Sequence, residues 1–400
     1  MRRRVMLALV VTGTVAAGAL TTRPYIDGLL FVVRAADMHG RVRQIADLRT
    51  KTEREREIAI PTRQGSLRAR LYEPSGSRRA TLLVSGLHPS GIDEPRLVRL
   101  ARQLSASGLT VVTPDIPELS RFEITPAITN AIEQAAGWLA SDSGLAADRH
   151  VGMMGISFSG GLSIVAAGRS SLADRVSYVF SFGGHDDLAR VLRYLCTGAE
   201  PYPEQAVRLT AGGTASAESM RPFVRPPHDY GVAVLLLGAA DHLVPASQVG
   251  PLRSAVRRYL FASALDSNVD KGRAAVEFAL LRSLQKKLPE PSASLLRYVN
   301  DRDVVHLGAR LLPYVSAYGG DPALSVSKSV KPAAPVFLLH GTDDNVIPSI
   351  ESEYLAADLR GHAPVRLLVS GLISHAEADR PVHVGDVLRL AGFWGDMLSR

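Results

Sequence analysis

The stretch VGMMGISFSGGLSIV, residues 151–165, places Ser157 and Ser159 among glycines, between two apolar runs. The first run is typical of a buried strand and the second of a helix. A sharp turn from strand to helix can hold a serine hydroxyl above a sheet, and it needs small residues two positions before and after that serine. Ser157 has Gly155 and Ser159 at these positions, and Ser159 has Ser157 and Gly161. The spacing alone therefore allows either serine.

The strand pattern favours Ser157 as the reactive residue. The run HVGMMGI (150–156) leads directly into Ser157, whereas Ser159 and the two glycines after it are small enough for the next helix to pack close to a sheet. A compact packing turn without chemistry is the alternative that this stretch leaves open.

Segments around this stretch alternate between strand and helix patterns. REIAIPT and SLRARLYEP, separated by RQG, predict a hairpin. Short apolar runs predict strands buried on both faces, namely ATLLVSG, LTVVTPDIP, VSYVFSFGG, APVFLLHG and VRLLVSG. Helical spacing lies between them, as in PRLVRLARQLSASG (95–108). This alternation predicts an α/β fold with a mainly parallel central sheet.

Residues 188–330 interrupt the alternation because most of them have helical spacing. Within them only GVAVLLLG (231–238) has the pattern of a strand. We therefore predict a core over 55–187 and 331–400, a helical cap insertion over 188–330, and a polar connector over 35–54.

The amino terminus has the pattern of an export signal. Three arginines at positions 2–4 precede sixteen uncharged residues (5–20) that end in small side chains. Sixteen residues are few for a membrane span of about 20, but GLLFVV (28–33) adds a second apolar patch that would suit an uncleaved anchor. We predict that residues 1–34 are a signal peptide or a membrane anchor. The protein would then be exported, either periplasmic or secreted, or held on a membrane through this segment.

Composition excludes several classes of function. The chain of 400 residues is 46% apolar, which is enough for a large core, and its net charge is +7. Because the arginines are scattered and no basic run is interleaved with aromatic residues, we predict no nucleic-acid partner. Cys196 is the single cysteine, so the sequence has neither an intrachain disulfide nor a cysteine metal cluster. With no HExxH motif and no phosphate loop, we predict no metal and no cofactor.

A nucleophilic serine needs a base and an acid that orients the base. Two segments of the sequence consist of a strand-like run, then a glycine and an aspartate: VAVLLLGAADHLVP (232–245) and PVFLLHGTDDNVIP (335–348). Their aspartates, Asp241 and Asp344, both qualify as the acid. Asp344 is followed by a helix, a strand and then His375 in a loop, which is the order that the mechanism requires. Beyond the loop of Asp241 the next histidine is His306, in a segment with helical spacing. The order favours Asp344, and Asp241 remains the alternative.

This order of motifs resembles that of the α/β-hydrolase superfamily, particularly its dienelactone-hydrolase-like and serine-peptidase-like members. Their elbow pattern, G-x-S-x-G-G, begins here at Gly155 and departs from the pattern at Ser159, where glycine is usual. The resemblance covers roughly residues 55–187 and 330–398 and leaves the helical insertion unmatched.

The resemblance implies a catalytic triad of Ser157, Asp344 and His375. It also implies an oxyanion hole made by the backbone amides of Phe158 and Leu87. The expected reaction is ester hydrolysis of a small-molecule acyl substrate through an acyl-enzyme, with peptide or thioester cleavage as related alternatives and no cofactor. The alternative of a different class is a catalytically silent hydrolase fold that binds a partner or a lipid through its helical insertion.

Overall fold

The computed structural model describes residues 22–202, 222–267, 270–373 and 384–400. Its strands, in chain order, are β1 (Glu53–Thr62), β2 (Gly65–Pro74), β3 (Ala80–Val84), β4 (Thr110–Pro114), β5 (Val151–Ile156), β6 (Val176–Phe182), β7 (Ala199–Glu200), β8 (Phe223–Val224), β9 (Val336–Gly341) and β10 (Val365–Ser370). Strands β7 and β8 form a small sheet of their own, and the other eight form the central sheet in the order β1-β2-β4-β3-β5-β6-β9-β10.

The central sheet is mainly parallel. Strand β2 runs antiparallel to both of its neighbours, β1 and β4, and every other neighbouring pair is parallel. The predicted fold class is therefore confirmed. Because parallel strands end at the same edge, the segments that follow β3, β5, β6, β9 and β10 all leave the sheet at one edge, which we call the carboxyl edge.

Successive residues of the central strands are buried on opposite faces of the sheet. Leu82 and Met153 belong to the apolar core on one face, and Leu83 and Met154 belong to the core on the other. Alternation along a strand sends neighbouring side chains to opposite faces, so strands covered on both faces must be apolar at nearly every position. This explains why continuous apolar runs, rather than alternating ones, mark these strands in the sequence.

Helices cover both faces of the sheet. In chain order they are α1 (22–35), α2 (Arg41–Asp47), α3 (Pro95–Ala106), α4 (Pro117–Ser120), α5 (Pro126–Ser141), α6 (Phe158–Ala167), α7 (Leu188–Thr197), α8 (Asp229–Leu243), α9 (Ala246–Asp266), α10 (Lys271–Gln285), α11 (Ser292–Asn300), α12 (Val304–Leu311), α13 (Val315–Gly319), α14 (Ile350–Leu359) and α15 (Val384–Leu398). Helices α5 and α6 contribute to one core, and α1, α3 and α15 contribute to the other.

Helices α7 to α13 lie between β6 and β9 in the chain, within the predicted insertion. The strand predicted over GVAVLLLG (231–238) is wrong, because this run is the middle of helix α8. Nearly all of its side chains are buried, so the helix is apolar around its whole circumference rather than on one stripe. A fully buried helix and a fully buried strand give the same continuous apolar run, and periodicity cannot separate them.

Helix α1, which covers residues 22–34 of the predicted leader or anchor, packs against the folded body. Phe31 is fully buried, and its ring centroid lies 4.3 Å from that of Trp394 in α15. The two helices meet at glycines: a Cβ added to Gly28 would lie 2.8 Å from the Cα atom of Gly395. The apolar patch at 28–33 is therefore explained by this packing. In the part of the chain that the structure describes, no helix is both long and apolar enough to span a membrane.

Candidate active site

Ser157 lies at the end of β5, where the chain turns sharply into α6. Its backbone has φ 57° and ψ −132°, a conformation outside the regions that non-glycine residues ordinarily adopt. Such strain costs about 1–3 kcal/mol and persists only where the surrounding structure imposes it. Here its amide donates a 2.7 Å hydrogen bond to the carbonyl oxygen of Phe182 at the end of β6. The residue is half-buried, and it lies at the carboxyl edge.

Ser159 has a different environment. It is 0% exposed, and its hydroxyl donates a 2.6 Å hydrogen bond to the carbonyl oxygen of Ser85, just after β3. This serine therefore ties the first turn of α6 to the segment after β3. The two glycines that follow are needed for packing, because a Cβ on Gly160 would lie 2.5 Å from the hydroxyl oxygen of Ser181 and 3.0 Å from the Cα atom of Gly184.

A strained serine between a buried parallel strand and a closely packed helix has the geometry of the strand-to-helix turn described for α/β-hydrolase folds. This chain has the α/β-hydrolase fold. The predicted elbow frame, with Gly155 before the serine and small residues after it, coincides with the observed turn. Gly155 itself is required, because a Cβ at this position would lie 2.7 Å from the amide nitrogen of Gly160 and would overlap the carbonyl group of Ser159.

The two residues predicted for the oxyanion hole lie on segments that are adjacent to Ser157. Phe158 is the first residue of α6, so its amide is one of those that a helix leaves without an intrahelical acceptor. Leu87 follows Gly86, and a Cβ on Gly86 would lie 3.4 Å from the Cβ atom of Ser157. The segment after β3 is thus packed directly against the serine. These two amides come from separate elements that meet at the carboxyl edge.

Asp344 lies in the loop after β9, at the same edge. The side chain is 6% exposed, and its Oδ1 atom accepts hydrogen bonds from the amides of Val346 (2.9 Å) and Ile347 (3.0 Å). Its Oδ2 atom lies 3.5 Å from the position that a Cβ on Gly183 would take, directly after β6. The loop therefore holds one oxygen of this carboxylate by two backbone hydrogen bonds. The other oxygen points towards Gly183, in the segment after β6.

His375 lies outside the described residues, and the structure places only the chain that leads to it. Ile373 comes two positions earlier, and its amide donates a 3.4 Å hydrogen bond to the carbonyl oxygen of Ser370. A Cβ on Gly341 would overlap the carbonyl group of Ile373. The chain approaching His375 therefore passes against the start of the loop that carries Asp344.

Asp241 and His306 lie on helices of the insertion and have local partners there. Asp241 is near the end of helix α8 rather than after a strand, its side chain is 54% exposed, and it forms a 3.2 Å ion pair with Arg253. His306 lies in helix α12, exposed, with its Nδ1 atom 2.6 Å from Asp303 of the same helix cap. Each of these residues has a partner within the insertion.

The insertion contacts both loops of the site, and no motif or spacing in the sequence indicates these contacts. Arg225 donates a 2.7 Å hydrogen bond to the carbonyl oxygen of Thr342 and lies 3.4 Å from Asp343 in the loop of the acid. Tyr230, in the first turn of α8, donates a 3.0 Å hydrogen bond to the carbonyl oxygen of Leu87. Residues 225–230 therefore link the loop after β9 to the loop after β3, which places this part of the insertion at the carboxyl edge.

A buried ionic cluster holds the insertion to the core behind the acid loop. Arg190 of α7 lies 3.0 Å from Asp186, 2.9 Å from Glu200 and 2.6 Å from Glu351 of α14. The three carboxyl groups are buried, and Glu351 also accepts a 2.6 Å hydrogen bond from the amide of Asp186. We call these four residues the Arg190 cluster.

One arginine cannot balance three buried carboxylates, and the pKa values reflect this. Burial, together with the nearby charge of Glu351, raises the pKa of Asp186 to about 7 and that of Glu200 to about 10. Burial also acts to raise the pKa of Glu351, but hydrogen bonding from Glu200 and the charge of Arg190 outweigh it and lower that pKa. The raised pKa of Glu200 favours its protonated form at neutral pH, and the lowered pKa of Glu351 favours the ionised form of that residue.

No group of three or more potential metal ligands occurs among the described histidine, cysteine, aspartate and glutamate residues. Cys196 is buried on α7, and burial raises the pKa of its thiol to about 12. A thiol of this kind is a weak nucleophile at neutral pH.

In comparisons of sequence, no family model and no curated protein matches this chain. Solved structures of hydrolases are similar to parts of it. They include a dienelactone hydrolase from Anabaena variabilis (24% identity, 33% of this chain and 64% of that one, TM-score 0.30). They also include a hyperthermophilic esterase from Pyrobaculum calidifontis (18% identity, 88% of this chain and 84% of that one, TM-score 0.38). A third is an acylaminoacyl peptidase from Pyrococcus horikoshii (11% identity, 82% of this chain and 39% of that one, TM-score 0.40). The match thus spans less than two thirds of the dienelactone hydrolase and of the peptidase, and nothing about the substrate follows from these similarities.

Proposed function

We propose that this protein is a serine hydrolase that cleaves a carboxylic ester through an acyl-enzyme. The observation that carries the proposal is the backbone strain of Ser157, a half-buried residue at the edge where the loop of Asp344 also lies. A turn that only packed a helix on a strand would not need a serine in this conformation, since glycine adopts it without the steric penalty of a Cβ.

In the proposed reaction, the hydroxyl oxygen of Ser157 attacks the ester carbonyl carbon while His375 takes the hydroxyl proton. The amides of Phe158 and Leu87 stabilise the negative charge that develops on the carbonyl oxygen. Collapse of the tetrahedral intermediate breaks the bond to the leaving oxygen, which receives the proton from His375. Water then attacks the acyl-enzyme by the same route and releases the acid. Asp344 keeps His375 in the required orientation throughout. Peptides and thioesters could be cleaved by the same steps.

The test uses a fluorophosphonate probe, which forms a covalent bond with an activated serine. The full-length protein should be labelled, Ser157→Ala should abolish labelling, and Ser159→Ala should retain it. The matched control is informative because the hydroxyl of Ser159 is fully buried and already bonded. Labelling that survives in Ser157→Ala would contradict the assignment, and a folded wild-type protein without labelling would favour the catalytically silent alternative.

We also propose that the protein is exported or held on a membrane through the residues that precede α1. The support is the row of three arginines followed by sixteen uncharged residues (5–20). Cell fractionation should recover the protein outside the cytoplasm, either released or in the membrane fraction. Recovery of the unprocessed chain in the soluble cytoplasmic fraction would contradict this proposal.

A further inference from the structure

A second cavity lies at the amino edge of the sheet, opposite the edge that holds Ser157. Its volume is about 820 Å³, within the roughly 300–1,000 Å³ that is usual for ligand pockets. One wall is helix α1, and the others are the residues around 49–51 before β1, the turn 76–79 before β3 and residues 107–108 before β4. We call this cavity the amino-edge cleft.

The amino-edge cleft is strongly cationic. Six of its lining side chains carry a positive charge: Arg23, Arg34, Arg49, Lys51, Arg78 and Arg79. Among the described residues that line it, the one carboxylate is Asp27, which lies 3.4 Å from Arg49 and 3.7 Å from Arg23. The positive charges therefore exceed what the cleft itself can neutralise, and an anion bound there would gain from the excess.

Arg34 makes the cleft more than a charged surface. It is 4% exposed and donates hydrogen bonds to the carbonyl oxygen of Ala46 (3.0 Å), the hydroxyl of Ser107 (2.7 Å) and the side chain of Gln103 (3.2 Å). All three partners are neutral, and within the described ranges no carboxylate lies within ion-pair distance of this guanidinium. Burial of a charge is unfavourable unless an opposite charge compensates it. Asp47 and Asp27 act on Arg34 only from beyond ion-pair distance, so a bound anion would supply the direct counter-ion for this buried cation.

The residues around the cleft indicate what kind of molecule would carry the bound anionic group. Helix α1 begins at residue 22 on its rim, directly after the arginines at 2–4 and the uncharged stretch 5–20. Exposed apolar side chains lie on the adjoining helices: Ile26 is 41% exposed, Ile45 58% and Leu48 84%. Exposed apolar residues beside a group of four to eight cations are the pattern of surfaces that bind anionic membranes.

We propose that the amino-edge cleft binds the phosphate group of an anionic phospholipid at a membrane surface, with Arg34 as its buried anchor. The lipid phosphate supplies the direct counter-ion, and the exposed apolar side chains of α1 and α2 contact the acyl-chain boundary. In this orientation the carboxyl edge of the sheet faces away from the bilayer. This proposal does not depend on the proposed hydrolase activity.

The test measures how the full-length protein partitions onto vesicles of phosphatidylcholine alone and of phosphatidylcholine mixed with phosphatidylglycerol. The readout is the ratio of the two partition coefficients, since the apolar segment contributes to both. The variant Lys51→Gln/Arg78→Gln removes two exposed cations of the cleft, and its ratio should be about 25-fold lower, because each cation near an anionic surface contributes about fivefold. The control Arg282→Gln/Lys286→Gln removes two exposed cations of the insertion and should leave the ratio unchanged.

Equal ratios for the wild-type protein and the cleft variant, or an equal decrease in the control variant, would overturn the proposal. A second experiment distinguishes a lipid ligand from a soluble phosphate compound. It measures the binding of inorganic phosphate and of glycerol 1-phosphate to the protein by calorimetric titration. Weak or absent binding of both, with strong anionic-vesicle binding, supports the lipid. Binding of either as tight as that of the vesicles, and lost in the cleft variant, would show that the ligand is a soluble phosphate and would overturn the lipid assignment.

Discussion

Replacement of Gly155 by alanine should disable the elbow, because a single added methyl group would push β5 and α6 apart. The added Cβ would lie 2.7 Å from the amide nitrogen of Gly160, and ordinary contact begins at 3.4 Å, so β5 and α6 must separate by at least 0.7 Å. Misplacement by about 1 Å can cost about 10²-fold in rate. We therefore expect the rate of covalent labelling at Ser157 to fall by about 10- to 100-fold. Overpacking of this kind should also lower the free energy of unfolding by about 1–3 kcal/mol.

The assay follows fluorophosphonate labelling with time, beside thermal unfolding of the same samples. Gly137→Ala is the matched control: it adds a methyl group inside α5, where the nearest atom is a side-chain carbon of Leu172 at 3.9 Å. That variant should label at the wild-type rate and be more stable by about 0.5–1 kcal/mol, because alanine is favoured over glycine within a helix. Wild-type labelling and unchanged unfolding in Gly155→Ala would refute the close approach of β5 and α6.

Three further predictions concern the acid, the insertion and the Arg190 cluster. Asp344→Asn should lower turnover by on the order of 10⁴, whereas Asp241→Asn, at an exposed helix position, should change it little; the reverse ranking in folded variants would make Asp241 the acid. Tyr230→Phe removes the hydrogen bond to Leu87 and should slow labelling by up to about 10-fold, as expected for one hydrogen bond of about 0.5–1.5 kcal/mol; an unchanged rate would show that this contact does not position the loop. The pKa of Glu200 is raised from 4.5 to about 10, so between these pH values the folded state binds more protons than the unfolded state. The melting temperature should therefore fall as pH rises through that window. Glu200→Gln should flatten this fall, and an unaltered pH profile would count against a protonated carboxyl.

Much of the core could be predicted because its strands are buried on both faces. Leu82 and Leu83 point to different faces and are both buried, so the sequence shows an apolar run there without any need for pairing information. The elbow was also predictable, since Gly155 is required by its contact with Ser159 and Gly160, which lie only a few positions along the chain. Local requirements of this kind leave a local pattern in the sequence.

The insertion was harder to predict because burial on all sides also gives a helix a continuous apolar run. Helix α8 is buried on all sides, so its central run has no polar stripe and was taken for a strand. This error also made the loops of Asp241 and Asp344 look alike, although the first belongs to a helix end. The contact of Tyr230 with Leu87 joins residues 143 positions apart, and no spacing rule indicates it. The position of the base, His375, lies outside the described residues and stays a prediction.

The packing of α1 on α15 has a consequence for how the chain acquires its structure in time. Phe31 is synthesised long before Trp394, which covers it. Until then the apolar face of α1 has no partner from its own chain, and exposed apolar surface of this kind is what chaperones recognise. Helix α1 is thus buried only after α15 has been made, and damage to either helix would open the same part of the core.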